Sequence, residues 1–199
     1  MALITLSEIE RHGKTRYAKR LMTKSAGAIL VEETQARPMS YNFDVFLSHS
    51  YQDAKLNMDR LLGIKSFLEE FKLSVYVDWI IDNDLNREKV DEETASILRR
   101  RMNRSKCLLF ATSETSQFSK WMPWELGYMD AKKQKVAILP LVGTSGRTQY
   151  KGQEYLGLYP YVDKDAARNS KEVFLWVCES SSRYVRLDLW LKGQKPEDH

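Results

Sequence analysis

Apolar and polar positions alternate along this chain in two rhythms, and the changes of rhythm outline a regular layout. Residues 41–47 set Phe43, Val45 and Leu47 between Asp44 and Phe46, and their Val-Phe-Leu end is apolar on both sides, as a central parallel strand requires. A helical spacing follows over 54–71, with Leu61, Leu62, Ile64, Phe67, Leu68 and Phe71 on one face. Residues 74–78 form a second strand, β-branched and aromatic. Over 91–103 the period is again helical, turning Ile97, Leu98 and Met102 inward and Arg99, Arg100, Arg101 and Arg104 largely outward. A third strand spans 106–112, a helix runs to about residue 133, and 135–142 form a fourth strand with Pro140 near its end. Beyond a Gly-, Ser- and Thr-rich stretch at 143–153, the pattern predicts a short edge strand over 156–161 and a helix over 171–179. Residues 183–191 fit strand and helix equally, and 193–199 read as a frayed polar tail.

Strands alternating with helices at this length predict an α/β domain built on a mostly parallel sheet. Ligands of such sheets bind beyond the carboxyl ends of the strands, where the strand order reverses. That rule singles out the turns at 48–53, 78–87 and 113–124, all rich in polar and aromatic groups.

Residues 1–40 stand apart from this layout. Ser7-Glu8-Ile9-Glu10 has the form of a capping box, so a helix is expected to begin near Ser7. Ile9, Tyr17, Ala18, Leu21 and Met22 give it a loose apolar stripe among seven Lys/Arg and four Asp/Glu, and Arg37-Pro38-Met39-Ser40 closes the segment as a linker. A solvated helix packed on the domain explains these charges better than a basic arm for nucleic acid or a partner. The resulting division is a helical extension at 1–40, a main domain at 41–180 and a C-terminal extension at 181–199.

Composition narrows the classes. An apolar fraction of 43% with 29% charged residues is that of a globular protein, and 199 residues suffice for one buried core plus an appendage. No apolar run reaches the roughly 18 residues of a membrane span, and residues 1–6 lack the core of a secretory signal. Two cysteines without metal-type spacing argue against a disulfide scaffold and for a reducing cytoplasm. A net charge of only +4, dispersed along the chain, argues against nucleic acid.

The densest candidate chemistry lies between Ser113 and Tyr128: hydroxyls, then Trp121 and Trp124, then one carboxylate, Glu125. If they share a helix, Trp121 and Glu125 lie one turn apart on one face. An aromatic platform beside a single acid suits a nucleotide-like ligand. Each residue also has a plainer reading. Glu125 could serve only as a first-turn partner of the helix dipole, Trp121 and Trp124 as core, and His49 as a turn cap. Asp78 is also a common turn residue, and Ser116 could hydrogen-bond its own loop rather than a phosphate.

Tyr41-Asn42-Phe43-Asp44-Val45-Phe46-Leu47-Ser48-His49-Ser50, Asp78-Trp79 and Ser119-Lys120-Trp121-Met122-Pro123-Trp124-Glu125-Leu126-Gly127 together resemble the Toll/interleukin-1 receptor (TIR) domain, particularly its bacterial branch. The resemblance covers residues 41–180 and leaves 1–40 without a motif. It implies a flavodoxin-like, five-stranded, mostly parallel sheet with helices on both faces. It implies cleavage of NAD+ as substrate, with no resident cofactor or metal, to an ADP-ribose-derived and cyclic signalling nucleotide, as in Thoeris-type anti-phage defence. It further implies self-association through TIR surfaces and a separate effector protein that senses the product. By the family's Trp-x-x-x-Glu pattern, Glu125 becomes the catalytic acid and Trp121 its neighbour in the cleft. Ser48 and His49 line that cleft, and Asp78 and Trp79 lead into the mobile loop at 79–89. Ser116 is assigned to substrate binding. Two rivals remain: a TIR module that only recruits partners, and a nucleoside deoxyribosyltransferase, which also carries a catalytic Glu on a related fold.

Overall fold

A computed structural model describes residues 2–50, 57–77, 92–112, 119, 121–143, 150, 154–167 and 170–199. In chain order the elements are β1 (Ile4–Thr5), α1 (Leu6–Arg16), α2 (Ala18–Leu21), α3 (Ala26–Gln35), β2 (Phe43–Ser48), α4 (Met58–Glu70) and β3 (Val75–Val77). There follow α5 (Glu92–Asn103), β4 (Ser105–Thr112), α6 (Met122–Lys133), β5 (Val136–Val142), a 3-10 helix (Glu154–Leu158), β6 (Tyr161–Ala166), β7 (Val173–Cys178), β8 (Arg183–Arg186), α7 (Leu187–Trp190) and β9 (Glu197–Asp198).

Strands β2 to β6 run parallel in the order β3-β2-β4-β5-β6. Counted from β2, that is 2-1-3-4-5, the flavodoxin-like arrangement, and its order reverses between β2 and β4. Alternate side chains divide the core in two. Val45, Leu47, Val77, Leu109 and Leu139 face one cluster, with Ile9 of α1, Ile29 and Leu30 of α3, and Leu61, Phe67 and Leu68 of α4. Phe46, Tyr76, Leu108, Phe110 and Ile138 face the other, under Leu98 and Met102 of α5 and Leu126 and Met129 of α6.

The sheet is wider than the five strands expected. Strands β7, β8 and β9 extend it antiparallel from β6, and β1 pairs in parallel with the end of β5, Ile4 beside Leu141 and Thr5 beside Val142. The 171–179 segment is therefore strand, not helix. Its run Val-Phe-Leu-Trp-Val-Cys has no period to read, and its β-branched and aromatic content decides the outcome. The strand expected over 156–161 begins only at Tyr161, after the 3-10 turn. Residues 183–191 divide into β8 and α7. The tail is paired rather than frayed, and His199 stacks on Tyr184 at 4.3 Å between ring centroids.

The N-terminal helices are built into the first cluster. Helix α1 starts one residue before the expected point, because Thr5 rather than Ser7 caps it, accepting from the Glu8 N–H at 3.3 Å. It crosses α4 where Gly13 and Gly63 meet: a Cβ on Gly63 would stand 2.4 Å from the Ile9 carbonyl oxygen. The atoms opposite are largely backbone, which cannot rotate aside. Helix propensity alone makes Gly63→Ala stabilising by up to about 1 kcal/mol. The close crossing reverses the sign, and we expect a net loss of about 1–3 kcal/mol in urea unfolding. Gly127→Ala in α6, whose Cβ would meet nothing within 4 Å, should show the propensity gain instead.

Asp44 ties the start of three strands together. Its carboxylate accepts from the Ser74 N–H, the Ser74 hydroxyl and Lys106 Nζ, each at 2.8 Å. Burial opposes its charge, but these donors outweigh burial and hold its carboxyl below the usual Asp range. Because the folded pKa lies below the unfolded one, the bonus is present at neutral pH and disappears as pH falls through the folded value. Asp44→Asn should thus cost about 1–3 kcal/mol near pH 7. The gap to the wild type should narrow as unfolding curves are taken at pH values falling progressively below the ordinary Asp range.

Candidate active site

The two elements that build the site meet at the switch point. Ser48 ends β2 and continues the face of Phe46, toward the side of the sheet that α6 covers. Helix α6 begins beyond β4, the next strand over. Pro123 fits its first turn, where a missing N–H costs nothing. Ser119 accepts the Met122 N–H at 3.2 Å, and the Trp121 carbonyl accepts the Glu125 N–H at 2.9 Å. Trp121 is thus the cap residue but already has helical backbone angles, φ −87° and ψ −42°, so the one-turn spacing to Glu125 holds.

This geometry brings Glu125 to Ser48 across 77 residues of sequence. The Ser48 hydroxyl donates to Glu125 Oε2 at 2.6 Å, and both residues are 0% exposed. His49 and Ser50, the next residues of the β2 turn, are also buried, at 4% and 1% exposure. Glu125 lies in the first turn of α6, at the positive end of the helix dipole.

Trp121 is the deeper of the two tryptophans, 6% exposed within the cluster that holds Phe46, Phe110 and Met122. Its ring meets Trp124 edge-on at 5.5 Å. Trp124 reaches outward, stacks on Tyr128 at 5.9 Å and lies under the Arg99 guanidinium at 5.4 Å. Sequence reasoning misses this grouping of Arg99 and Tyr128 around Trp124. Half of its signal is present in the chain, since Trp124 and Tyr128 are four residues apart on one helix. Of the remaining sequence candidates, Asp78, Trp79 and Ser116 lie outside the described residues, as does the loop at 79–89.

Burial holds the Cys107 thiol well above its ordinary range and lifts that of Cys178 to about 12, so neither offers a thiolate near neutral pH. Among the described residues, no group of three or more His, Cys, Asp or Glu side chains could hold a metal ion, and no helix is long and apolar enough to cross a membrane. The described chemistry at the switch point thus includes one buried carboxylate, Glu125, held by the Ser48 hydroxyl, with the buried His49 and Ser50 next to Ser48 in the chain.

No protein-family model matches the chain. Over 150 residues it is 53% identical to the probable 3′ cyclic ADP-D-ribose synthase ThsB′ of Bacillus cereus (strain MSX-D12), covering 75% of this chain and 76% of that protein. The chain belongs to the ThsB′ family of TIR proteins. It is also 38% identical over 90 residues to the putative cyclic ADP-D-ribose synthase TIR2 of Cytobacillus dafuensis, a match that spans 43% of this chain and 22% of that protein. The ThsB′ relationship agrees with the flavodoxin-like strand order.

Proposed function

We propose that this protein cleaves the nicotinamide–ribose bond of NAD+ and closes the remaining ADP-ribose into a cyclic signalling nucleotide. The observation that carries the reading is the buried Glu125 carboxylate, presented at the switch point of a flavodoxin-like sheet in a chain of the ThsB′ family. Breaking the bond takes the ribose carbon through an oxocarbenium-like state. Nicotinamide leaves with the bonding electron pair as a neutral pyridine, so no acid has to protonate it. One carboxylate therefore suffices, where O-glycoside cleavage uses two. Glu125 offsets the positive charge that develops on the sugar and accepts from its hydroxyls. An oxygen nucleophile then attacks the same carbon and gives up its proton. An internal ribose hydroxyl yields a cyclic product, 3′-linked as in the name of the Bacillus cereus relative, and water yields open ADP-ribose.

In this reading Trp121 walls the site, His49 and Ser48 belong to its floor, and Asp78, Trp79 and Ser116 supply further substrate contacts. NAD+ is substrate and no resident cofactor is required. Glu125 is fully buried, which supports a resting state that opens before it turns over. Self-association through TIR surfaces in the cytoplasm accompanies activation in this reading, and a separate effector reads the product.

Purified protein incubated with NAD+ should release nicotinamide and a cyclic ADP-ribose resolvable by mass spectrometry, with a rate per molecule that rises with protein concentration. No nicotinamide release under crowding, assembly or infected-cell extract would return the chain to a purely recruiting role. Base exchange on deoxynucleosides without NAD+ turnover would make it a deoxyribosyltransferase.

A further inference from the structure

The resemblance to TIR domains implies that Ser48 lines the cleft, as a residue that touches substrate. The geometry points to a different role: Ser48 is a positioning residue that acts through Glu125, fixing the carboxylate and keeping it in the charged form that the reaction uses. This rests on the reading of Glu125 as the catalytic acid.

Three observations converge on it. First, Ser48 is fully buried, and its hydroxyl is already committed to Glu125 Oε2 at 2.6 Å, the short distance of an O–H donating to a charged acceptor. Second, the two groups ride on different rigid elements. Ser48 is the last residue of β2, a strand locked between β3 and β4, and it lies in register with Phe110. Glu125 sits one turn into α6, fixed by the hydrogen bond of its own N–H to Trp121. The side-chain bond is thus a brace between sheet and helix, and it sets where the carboxylate stands relative to the strand ends. Third, a carboxylate with no accessible surface lacks bulk water to stabilise its charge, so a donated hydrogen bond weighs more here than on a surface.

A brace and a substrate contact give different kinetics. Removing a group that binds substrate and transition state equally raises KM and spares kcat. Removing a group that orients and charges the acid lowers kcat and leaves KM nearly unchanged. It also makes the acid easier to protonate, which moves the acid limb of the kcat profile to higher pH.

The test is steady-state NAD+ cleavage by the full-length Ser48→Ala protein across pH, under the conditions that activate the wild type, beside Ser48→Cys and Glu125→Gln. We expect Ser48→Ala to lose about 10- to 100-fold in kcat, the size of one hydrogen bond to a charged group. KM should stay within about threefold, and the acid limb should move upward. Ser48→Cys, close in volume with a weaker donor, should fall between wild type and Ser48→Ala in both kcat and limb position. It carries the test if the alanine protein does not fold. A raised KM with kcat retained, or an unmoved acid limb in a folded variant, overturns the positioning role. Glu125→Gln separates this from the broader reading: full activity in that variant rejects Glu125 itself, whereas an inactive Glu125→Gln beside an unaffected Ser48→Ala rejects only the brace.

Discussion

Glu125→Gln should abolish nearly all NAD+ turnover while leaving the fold intact. The exchange keeps the volume of the side chain, and the amide oxygen can still accept from the Ser48 hydroxyl now held at 2.6 Å. What disappears is the negative charge. Electrostatic stabilisation placed where charge develops in the transition state supplies about 10²–10³-fold per donor or charge in comparable sites. We therefore expect nicotinamide release to fall by at least about 10²-fold, with kcat carrying the loss. The melting temperature should change by no more than about 5 °C, because no packing is lost and the buried hydrogen bond survives. The measurement is nicotinamide release by chromatography, paired with a thermal melt of the same preparation. A folded variant that keeps more than about a tenth of wild-type turnover would remove Glu125 from the mechanism.

How much of this site is legible in the sequence depends on which contacts are local. Trp121 and Glu125 are four residues apart, and helix geometry alone makes them neighbours. Ser48 and Glu125 are 77 residues apart, and no spacing rule connects them. They meet because β2 and β4 lie side by side at the reversal of strand order, which is a property of the whole sheet. The central strands are legible for a related reason. A strand buried on both faces must be apolar throughout, and residues 45–47, 75–77, 107–111 and 136–139 show it. The same feature hides β7, since an unbroken apolar run does not say whether it is strand or helix.

The N-terminal segment is the least legible. Its apolar stripe runs through Ala18, Leu21 and Met22 in the sequence, yet Met22 is 84% exposed. The contact that matters runs through Gly13, which no hydrophobic pattern reports, because a glycine packs by absence of a side chain. Helix α3 leaves only a faint mark. Ser25 caps it, accepting the Ala28 N–H at 3.2 Å, but its large apolar residues are few. Their burial follows from the surface that α4 offers them, which is a tertiary fact.

That surface leads to the second large effect: a chain beginning at residue 41 should not fold on its own. Ile4, Ile9, Ile29 and Leu30 are fully buried and Tyr17 nearly so, all in the cluster that also holds the inner face of α4. Burying one such side chain is worth about 1.5–3 kcal/mol. Five of them amount to about 7–15 kcal/mol as an upper bound, against a total stability of about 5–15 kcal/mol for an ordinary domain. Loss of the segment also strips polar partners. Lys65, buried in α4, donates to Glu33 of α3 as well as to Glu69, and Lys164 of β6 donates to Glu8 of α1. The end of β5 at Leu141 and Val142 loses its neighbour β1. The doubly wound pattern normally covers this face with a helix after the last parallel strand. Here the chain turns to β7 instead, and the cluster on this face takes Ile9 of α1 from the other end of the sequence together with Leu187 and Trp190 of the short α7. Residues 41–199 expressed alone should be insoluble, or soluble without a cooperative thermal transition and with strong binding of a hydrophobic dye. A soluble monomer melting cooperatively within about 5 °C of the full chain would instead make residues 1–40 a dispensable appendage.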